Sequence, residues 1–198
     1  MDLWEVTCAA DAGGLRAYEP TDDELAAAAP ALAAAYGEAH NSRMMGQAPS
    51  VFTAADAIEH VARLRSAGGR PFLLERDGEL AGDADFRNLD GDAGEFAILI
   101  ADPAAQGRGL GTRFARMLHA FAFDVLRLRR VYVAIIPENR ASRRLFEKLG
   151  YQLDASSLAR RHADEPTDLT LSIGPQDIVD SPDGAGALPR ICRRFSTK

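Results

Sequence analysis

A chain of 198 residues, with 46% of its positions apolar and 26% charged, fits one packed soluble domain and excludes both two full-sized domains and disorder throughout. At 21.3 kDa it buries roughly 70% of the surface that its unfolded chain exposes, enough for a core without disulfides or metal. Its 23 basic and 29 acidic residues give a net charge of −6, which argues against broad nucleic-acid or anionic-membrane binding and suits small cationic partners.

The two cysteines, Cys8 and Cys192, stand near opposite ends with no CxxC spacing, so neither a disulfide scaffold nor a thiolate zinc site is expected. A reducing compartment is the default. The first fourteen residues carry acid where a signal peptide would carry Lys or Arg. The longest strongly apolar run, Phe96 to Ala101, falls far short of the roughly 18 residues of a membrane span, and a cytoplasmic location is expected.

Residues 1–14 read as an N-terminal extension. Leu15 to Tyr18 is a short apolar-leaning segment. Thr21-Asp22-Asp23-Glu24 then forms a capping box, predicting an Ala-rich helix interrupted or restarted at Pro30. A loop holding His40, Asn41 and Gly46 follows, and Thr53 with Asp56 repeats the capping logic for a second helix, stopped by Gly68-Gly69. Two helices are therefore expected before most of the sheet.

Pro71 to Glu75, the tight Asp77-Gly78 turn and Leu80 to Phe86 read as a hairpin. An Asp- and Gly-rich loop, Asn88 to Gly94, leads to the apolar strand Glu95 to Ala101. From Leu110 the period changes. Leu110, Phe114, Met117, Leu118, Phe121, Val125 and Leu128 are spaced as the buried stripe of a long helix. Val131 to Ile136 is strand-like, and Arg140 to Leu149 is a short helix that ends at Gly150. Strands from Tyr151 and over Leu169 to Ile173 complete the sheet. The domain ends near residue 174, and the Pro-, Gly- and Asp-rich residues 175–198 read as an irregular tail.

The stretch that carries chemistry is Gln106-Gly107-Arg108-Gly109-Leu110-Gly111-Thr112, between the most apolar strand and the longest helix. Glycines let the backbone approach a ligand, and a helix start aims unpaired N–H groups at an anion. Two better-known phosphate loops do not fit. No Lys-Ser or Lys-Thr follows the glycines, and Thr112 stands where GxGxxG needs its third glycine.

This segment resembles the acetyl-CoA loop of the GCN5-related N-acetyltransferase (GNAT) family, Gln/Arg-x-x-Gly-x-Gly/Ala, here Gln106 to Gly111. Glu95 to Pro103 looks like that family's fourth strand. Pro137-Glu138-Asn139-Arg140 through Glu147-Lys148-Leu149-Gly150-Tyr151 looks like its later asparagine-to-EKLGF segment, and a serine matching Ser142 occurs in the ribosomal-protein N-terminal acetyltransferase branch.

The resemblance implies an α+β fold of three layers. It places a mixed central sheet of about 6–7 strands, antiparallel in its first half and splayed between its fourth and fifth strands, among about 4 helices. The pantetheine arm of acetyl-CoA would lie in the splay, paired with the backbone of Leu99, Ile100 and Ala101 as though it were another strand. The amides of Gln106, Gly107, Arg108, Gly109, Leu110, Gly111 and Thr112 would hold the pyrophosphate, with Asn139 and Phe146 lining the other wall. Asn139 also suits a helix N-cap, and both roles can hold together.

Acetyl transfer to an amine needs the free base, and a carboxylate near the acceptor can remove the ammonium proton, directly or through a water. Glu95, eleven positions before Gln106, matches the offset of the family's glutamate base. A solvated or Arg-paired strand-end carboxylate is the competing reading. A backbone N–H near Leu99 would stabilise the oxyanion. Where many relatives carry a tyrosine as acid for the departing thiolate, this chain has Phe146, so the proton would come from Ser142, Tyr151, Tyr132 or water. Asp83 and Asp85 share a strand face and, with Glu95 and Glu38, offer carboxylates to a cationic amine; solvated strand edges are the alternative.

The four histidines (40, 60, 119 and 162) show no metal-ligand spacing, so no metal is expected, and His119 reads as a passenger on the long helix. The expected activity is direct acetyl transfer from acetyl-CoA, in a ternary complex, to a primary amine of a small molecule or a protein N-terminus. A transferase using another acyl-CoA and a non-catalytic acetyl-CoA sensor are the alternatives. No nucleic-acid or membrane partner is expected, and a homodimer is a base-rate guess.

Overall fold

The computed structural model describes residues 2–8, 14–47, 51–163, 165–178 and 189–194. Strand β1 (Leu3–Cys8) pairs antiparallel with β2 (Leu15–Tyr18). Thr21 closes its capping box with Glu24, and α1 (Asp22–Gly37) runs through Pro30 without restarting. The expected loop at His40 to Gly46 contains a third early helix, α2 (Ala39–Met44), capped by the Glu38 side chain, which accepts from the Asn41 amide at 2.9 Å. Thr53 and Asp56 start α3 (Ala54–Ser66) as predicted.

Strands β3 (Arg70–Arg76), β4 (Glu79–Asp90) and β5 (Ala93–Ile100) form a continuous meander. The segment expected as the Asn88 to Gly94 loop is mostly ladder, because β4 extends to Asp90 before a tight Gly91-Asp92 turn. A 3₁₀ turn at Pro103–Ala105 leads to α4 (Leu110–Asp124), which ends before the last two residues of the predicted stripe, Val125 and Leu128. β6 (Arg130–Ile135), α5 (Arg140–Leu149), β7 (Gln152–Leu153), a 3₁₀ turn at Ala159–His162 and β8 (Leu169–Ile173) follow. Within the stretch expected to be an irregular tail, Arg190–Arg194 forms β9.

The strands make one mixed sheet of nine, in the order β7-β8-β6-β5-β4-β3-β2-β1-β9. That exceeds the expected count, and among the described residues five α-helices stand where about four were expected. The surplus strands arise from pairing more than local pattern. β1 in the presumed extension offers its outer edge, and the basic sequence of β9 adds to it from Leu3↔Arg194 to Thr7↔Arg190.

Fully buried Phe72, Phe86, Phe96, Phe114 and Phe121 weld one face of the sheet to α4. On the opposite face, Leu25, Ala29 and Leu32 of α1 and Ala57 and Val61 of α3 pack with Leu73 and Tyr18. These two faces give the three layers.

Candidate active site

The glycine-rich loop begins as the Asp102 carboxylate caps the 3₁₀ turn by accepting from the Ala104 amide at 2.8 Å. Gly107 (φ +72°) and Gly109 (φ +86°) then take left-handed backbone, and a Cβ at either would have no heavy atom within 4 Å. The glycines therefore answer to backbone conformation and leave open space above the loop. Gly109 is the N-cap of α4 and supplies no side-chain cap, so the first-turn amides of Leu110, Gly111 and Thr112 meet no capping oxygen from it. This end of α4 carries the positive pole of its dipole toward open space. Arg108 is exposed beside it, and buried Leu110 anchors the first turn in the core. Gly111 has another reason to be glycine: a Cβ there would sit 2.8 Å from Leu145 Cδ1, so the gap lets α4 lie close to α5.

Gln106 turns inward. Its side-chain amide donates to the Ile100 carbonyl at 2.9 Å and to Asn41 Oδ1 at 2.8 Å. Asn41, 1% exposed, donates in turn to the carbonyls of Ala35 and Ala101. The Ala101 amide is held by the Ala81 carbonyl. The backbone at Ile100 and Ala101 thus already has protein partners, and the expected pairing edge is most open before them, toward Leu99.

The splay is present. β5 and β6 pair in parallel only from Ala93↔Arg130 to Glu95↔Tyr132, although β5 continues to Ile100 and β6 to Ile135. Asn139 stands beyond the end of β6, where it caps α5 through the Ser142 amide and donates to the Met44 carbonyl. Ser142 and Phe146 line the cavity beside the splay. Phe146 packs edge-on against Phe96 and Tyr151 and has no proton to give.

Of the two tyrosines expected as alternative acids, one is engaged elsewhere and the other stands beside Glu95 in the ladder. The Tyr151 hydroxyl is buried against His119 Nε2 at 2.6 Å, and burial raises its pKa well above the ordinary value. Tyr132 stacks on the His162 ring. His119 is a buried member of the aromatic core, where burial lowers its pKa to about 4 and keeps it neutral.

The register of β4 and β5 places Asp83 opposite Leu99, Asp85 opposite Ala97 and Arg87 opposite Glu95, all facing a cavity of about 210 Å³. Asp85 and Arg87 form a bidentate pair, with both contacts at 2.6 Å. The Tyr36 hydroxyl donates to Asp83 Oδ2 at 2.6 Å, while buried Oδ1 has no hydrogen-bond partner among the described residues. Burial lifts the Asp83 carboxyl to about 7, against the pull of the Tyr36 hydrogen bond and with the help of the Asp85 charge.

Glu95, 7% exposed, accepts from Asn88 Nδ2 at 2.8 Å, and His162 Nδ1 lies 3.5 Å from its Oε2. It is therefore not a solvated strand end, and its ladder partner is Arg87. Glu38, expected among the acceptor carboxylates, instead caps α2. Tyr36, His60 and His162 join the site with no motif to announce them, whereas the Glu95 offset and the pairing of Asp83 and Asp85 on one strand face were readable. Among the described residues, no group of three or more His, Cys, Asp and Glu is placed to hold a metal ion. Among the described residues, no helix is long and apolar enough to cross a membrane.

The acetyltransferase (GNAT) domain profile matches residues 14–152. Spermidine N(1)-acetyltransferase of Escherichia coli K12 is 34% identical over 87 residues, 43% of this chain and 46% of that protein. The mycothiol acetyltransferase of Beutenbergia cavernae is 41% identical over 78 residues, 38% of this chain and 25% of that one. The matched segments thus span about half or less of these curated relatives. In fold, the chain is similar to Mycobacterium smegmatis RimJ in complex with CoA-disulfide, with a TM-score of 0.68, 19% identity and coverage of 89% and 90% of the two chains. It is also similar to the aminoglycoside acetyltransferase AAC(6')-Ib in complex with coenzyme A and kanamycin, with a TM-score of 0.65, 19% identity and coverage of 82% and 96%.

Proposed function

The chain belongs to the acetyltransferase (GNAT) family, and from that premise we propose that it transfers an acetyl group from acetyl-CoA to a primary amine by direct attack in a ternary complex. The acceptor is an amine of a small molecule or a protein N-terminus. The observation that carries this reading is the parting of β5 and β6 immediately beside an open, glycine-lined helix start. A slot between strands suits an extended arm, and uncapped amides suit a pyrophosphate.

The residues present fit the co-substrate. Gly107 to Thr112 supply the anion cradle with Arg108 beside it, the parted edge of β5 up to Leu99 faces the arm, and Phe146 closes the slot with an apolar wall. Acetyl-CoA supplies an activated thioester. Asn139 holds α5 and the end of α2 around that slot. Gln106 acts as the clamp that fixes the loop to the end of β5, so its part in binding is largely positional.

A protonated aliphatic amine, with a pKa near 10.4, has no lone pair to attack with. Glu95 is the base that takes the proton, directly or through one water, while the hydrogen bond from Asn88 holds its carboxylate in place and the His162 ring lies beside it. The Leu99 N–H is the donor assigned to the thioester oxygen. The departing thiolate, with a thiol pKa near 8.5, asks little of an acid, and the Ser142 hydroxyl or water meets that demand without a tyrosine. The cysteine usage, two residues near opposite ends with no CxxC spacing, suits a reducing cytoplasm.

The test is a thermal melt with acetyl-CoA followed by release of the CoA thiol across an amine panel. Stabilisation with turnover supports the reading. Stabilisation without turnover for any amine would favour a sensor, and turnover with other acyl-CoAs alone would reassign the donor.

A further inference from the structure

We propose that Asp83, oriented by Tyr36, is a subsite for a second protonated amine, so that the acceptors are aliphatic diamines or polyamines in preference to monoamines. This rests on the acetyl-transfer reading and narrows its substrate class.

The first support is an incomplete hydrogen-bond set. Tyr36 satisfies Asp83 Oδ2, whereas Oδ1 is buried and has no hydrogen-bond partner among the described residues. A buried acceptor left in this state costs free energy that a donor entering the cavity restores. The second support is charge. The groups facing Asp83 are Tyr36 from α1, His60 from α3, Asp85 and Arg87 from β4 and Glu95 from β5. Asp85 and Arg87 neutralise each other through their bidentate pair. Burial lowers the pKa of His60, which keeps it uncharged, and burial raises that of Tyr36. Two carboxyls on this face are left for cations to approach: Glu95, which Asn88 and His162 also contact, and Asp83, whose Oδ1 has no hydrogen-bond partner among the described residues.

One is assigned to the reacting amine, and the other calls for a second cation. Glu95 lies four residues along β5 from Leu99, the partner of Asp83, a separation of about 13 Å along the strand. That span fits an extended aliphatic chain with a cationic group at each end better than one ammonium. Met44 and Met45 line the same cavity and provide adaptable apolar wall for such a chain. Because burial holds Asp83 near 7, an arriving ammonium both completes its hydrogen bonds and favours its ionised form.

The experiment measures CoA thiol release by the full chain with matched pairs: 1,4-diaminobutane against butylamine, and 1,8-diaminooctane against octylamine. Wild type should favour the diamines by about 10- to 100-fold in kcat/KM, the range expected for a hydrogen bond to a charged group. Asp83→Asn, which keeps the shape and the Tyr36 contact, should collapse that ratio, mainly through the diamine KM. Tyr36→Phe should lower it less. Wild-type diamine KM should fall as the pH rises through about 7, a dependence that Asp83→Asn should lose.

Thermal melts and acetyl-CoA binding show whether each variant is folded. Equal kcat/KM for diamines and monoamines, or a folded Asp83→Asn that keeps the preference, overturns the subsite and leaves acetyl transfer standing. No thiol release with any amine overturns both.

Discussion

The two halves of the site are made of different material. On the side we assign to the donor the working surface is main chain: amides at the start of α4, beside glycines at alternate positions in the sequence. On the acceptor side it is side chains, Tyr36, Asp83, Asp85, Arg87 and Glu95, gathered from three elements by strand register and helix packing. A main-chain cradle recognises a ligand feature that is the same for every acyl-CoA, whereas a side-chain surface is free to change with the acceptor. The difference also makes the two sides fail differently when they are altered.

The largest effect is expected on the acceptor side. Glu95→Gln should lower kcat by about 100- to 10,000-fold with acetyl-CoA affinity nearly unchanged, and a variant retaining full rate would remove Glu95 as base. Next, the acceptor side itself leans on one main-chain approach. Gly82 has φ +150°, and a Cβ there would lie 1.9 Å from the Leu99 carbonyl oxygen. Gly82→Ala must push β4 and β5 apart, and chemical denaturation should show a loss of about 3 kcal/mol or more.

On the donor side, Gly109→Asp strains a left-handed position and sets negative charge against the pyrophosphate. Calorimetry should show acetyl-CoA affinity weakened by about 10- to 100-fold, equivalent to about 1.4–2.8 kcal/mol, with a smaller loss of stability. Undiminished affinity would mean that the cradle is not where the anion binds.

The smallest effect is a gain. Asp83 titrates at about 7 in the fold but near 3.8 when exposed, so between those values the folded chain binds the extra proton and stability declines as the pH rises. Asp83→Asn removes that decline. It should raise Tm at pH 8 by several degrees and change it little near pH 4. A melt shift independent of pH would show that the carboxyl is not held neutral by its surroundings.

The same contrast explains what was legible in the sequence. α5 and β8 occupy the predicted spans because a Gly150 stop and an apolar β-branched run are local signals. The glycine loop was readable for the same reason. β9 was not, since a basic five-residue segment becomes a strand only when the edge of β1 is available. α2 has six residues and no apolar period, so its Glu38 cap and buried Asn41 carry no pattern. Tyr36 lies in an alanine-rich helix and His162 in a 3₁₀ turn, and each acquires meaning only through its partner on another element. Glu95 was legible through its offset from the loop; the Asn88 hydrogen bond that holds it and the His162 ring beside it were beyond any spacing rule.

The bridge from Gln106 to Asn41 and Ile100 has a consequence for donor capture. By tying the segment before the glycines to the ends of α1 and β5, it settles the approach to the cradle during folding, well before any ligand arrives. The entropic charge for arranging a mobile anion-binding segment is then largely absent from the association step, which leaves more of the contact free energy as affinity.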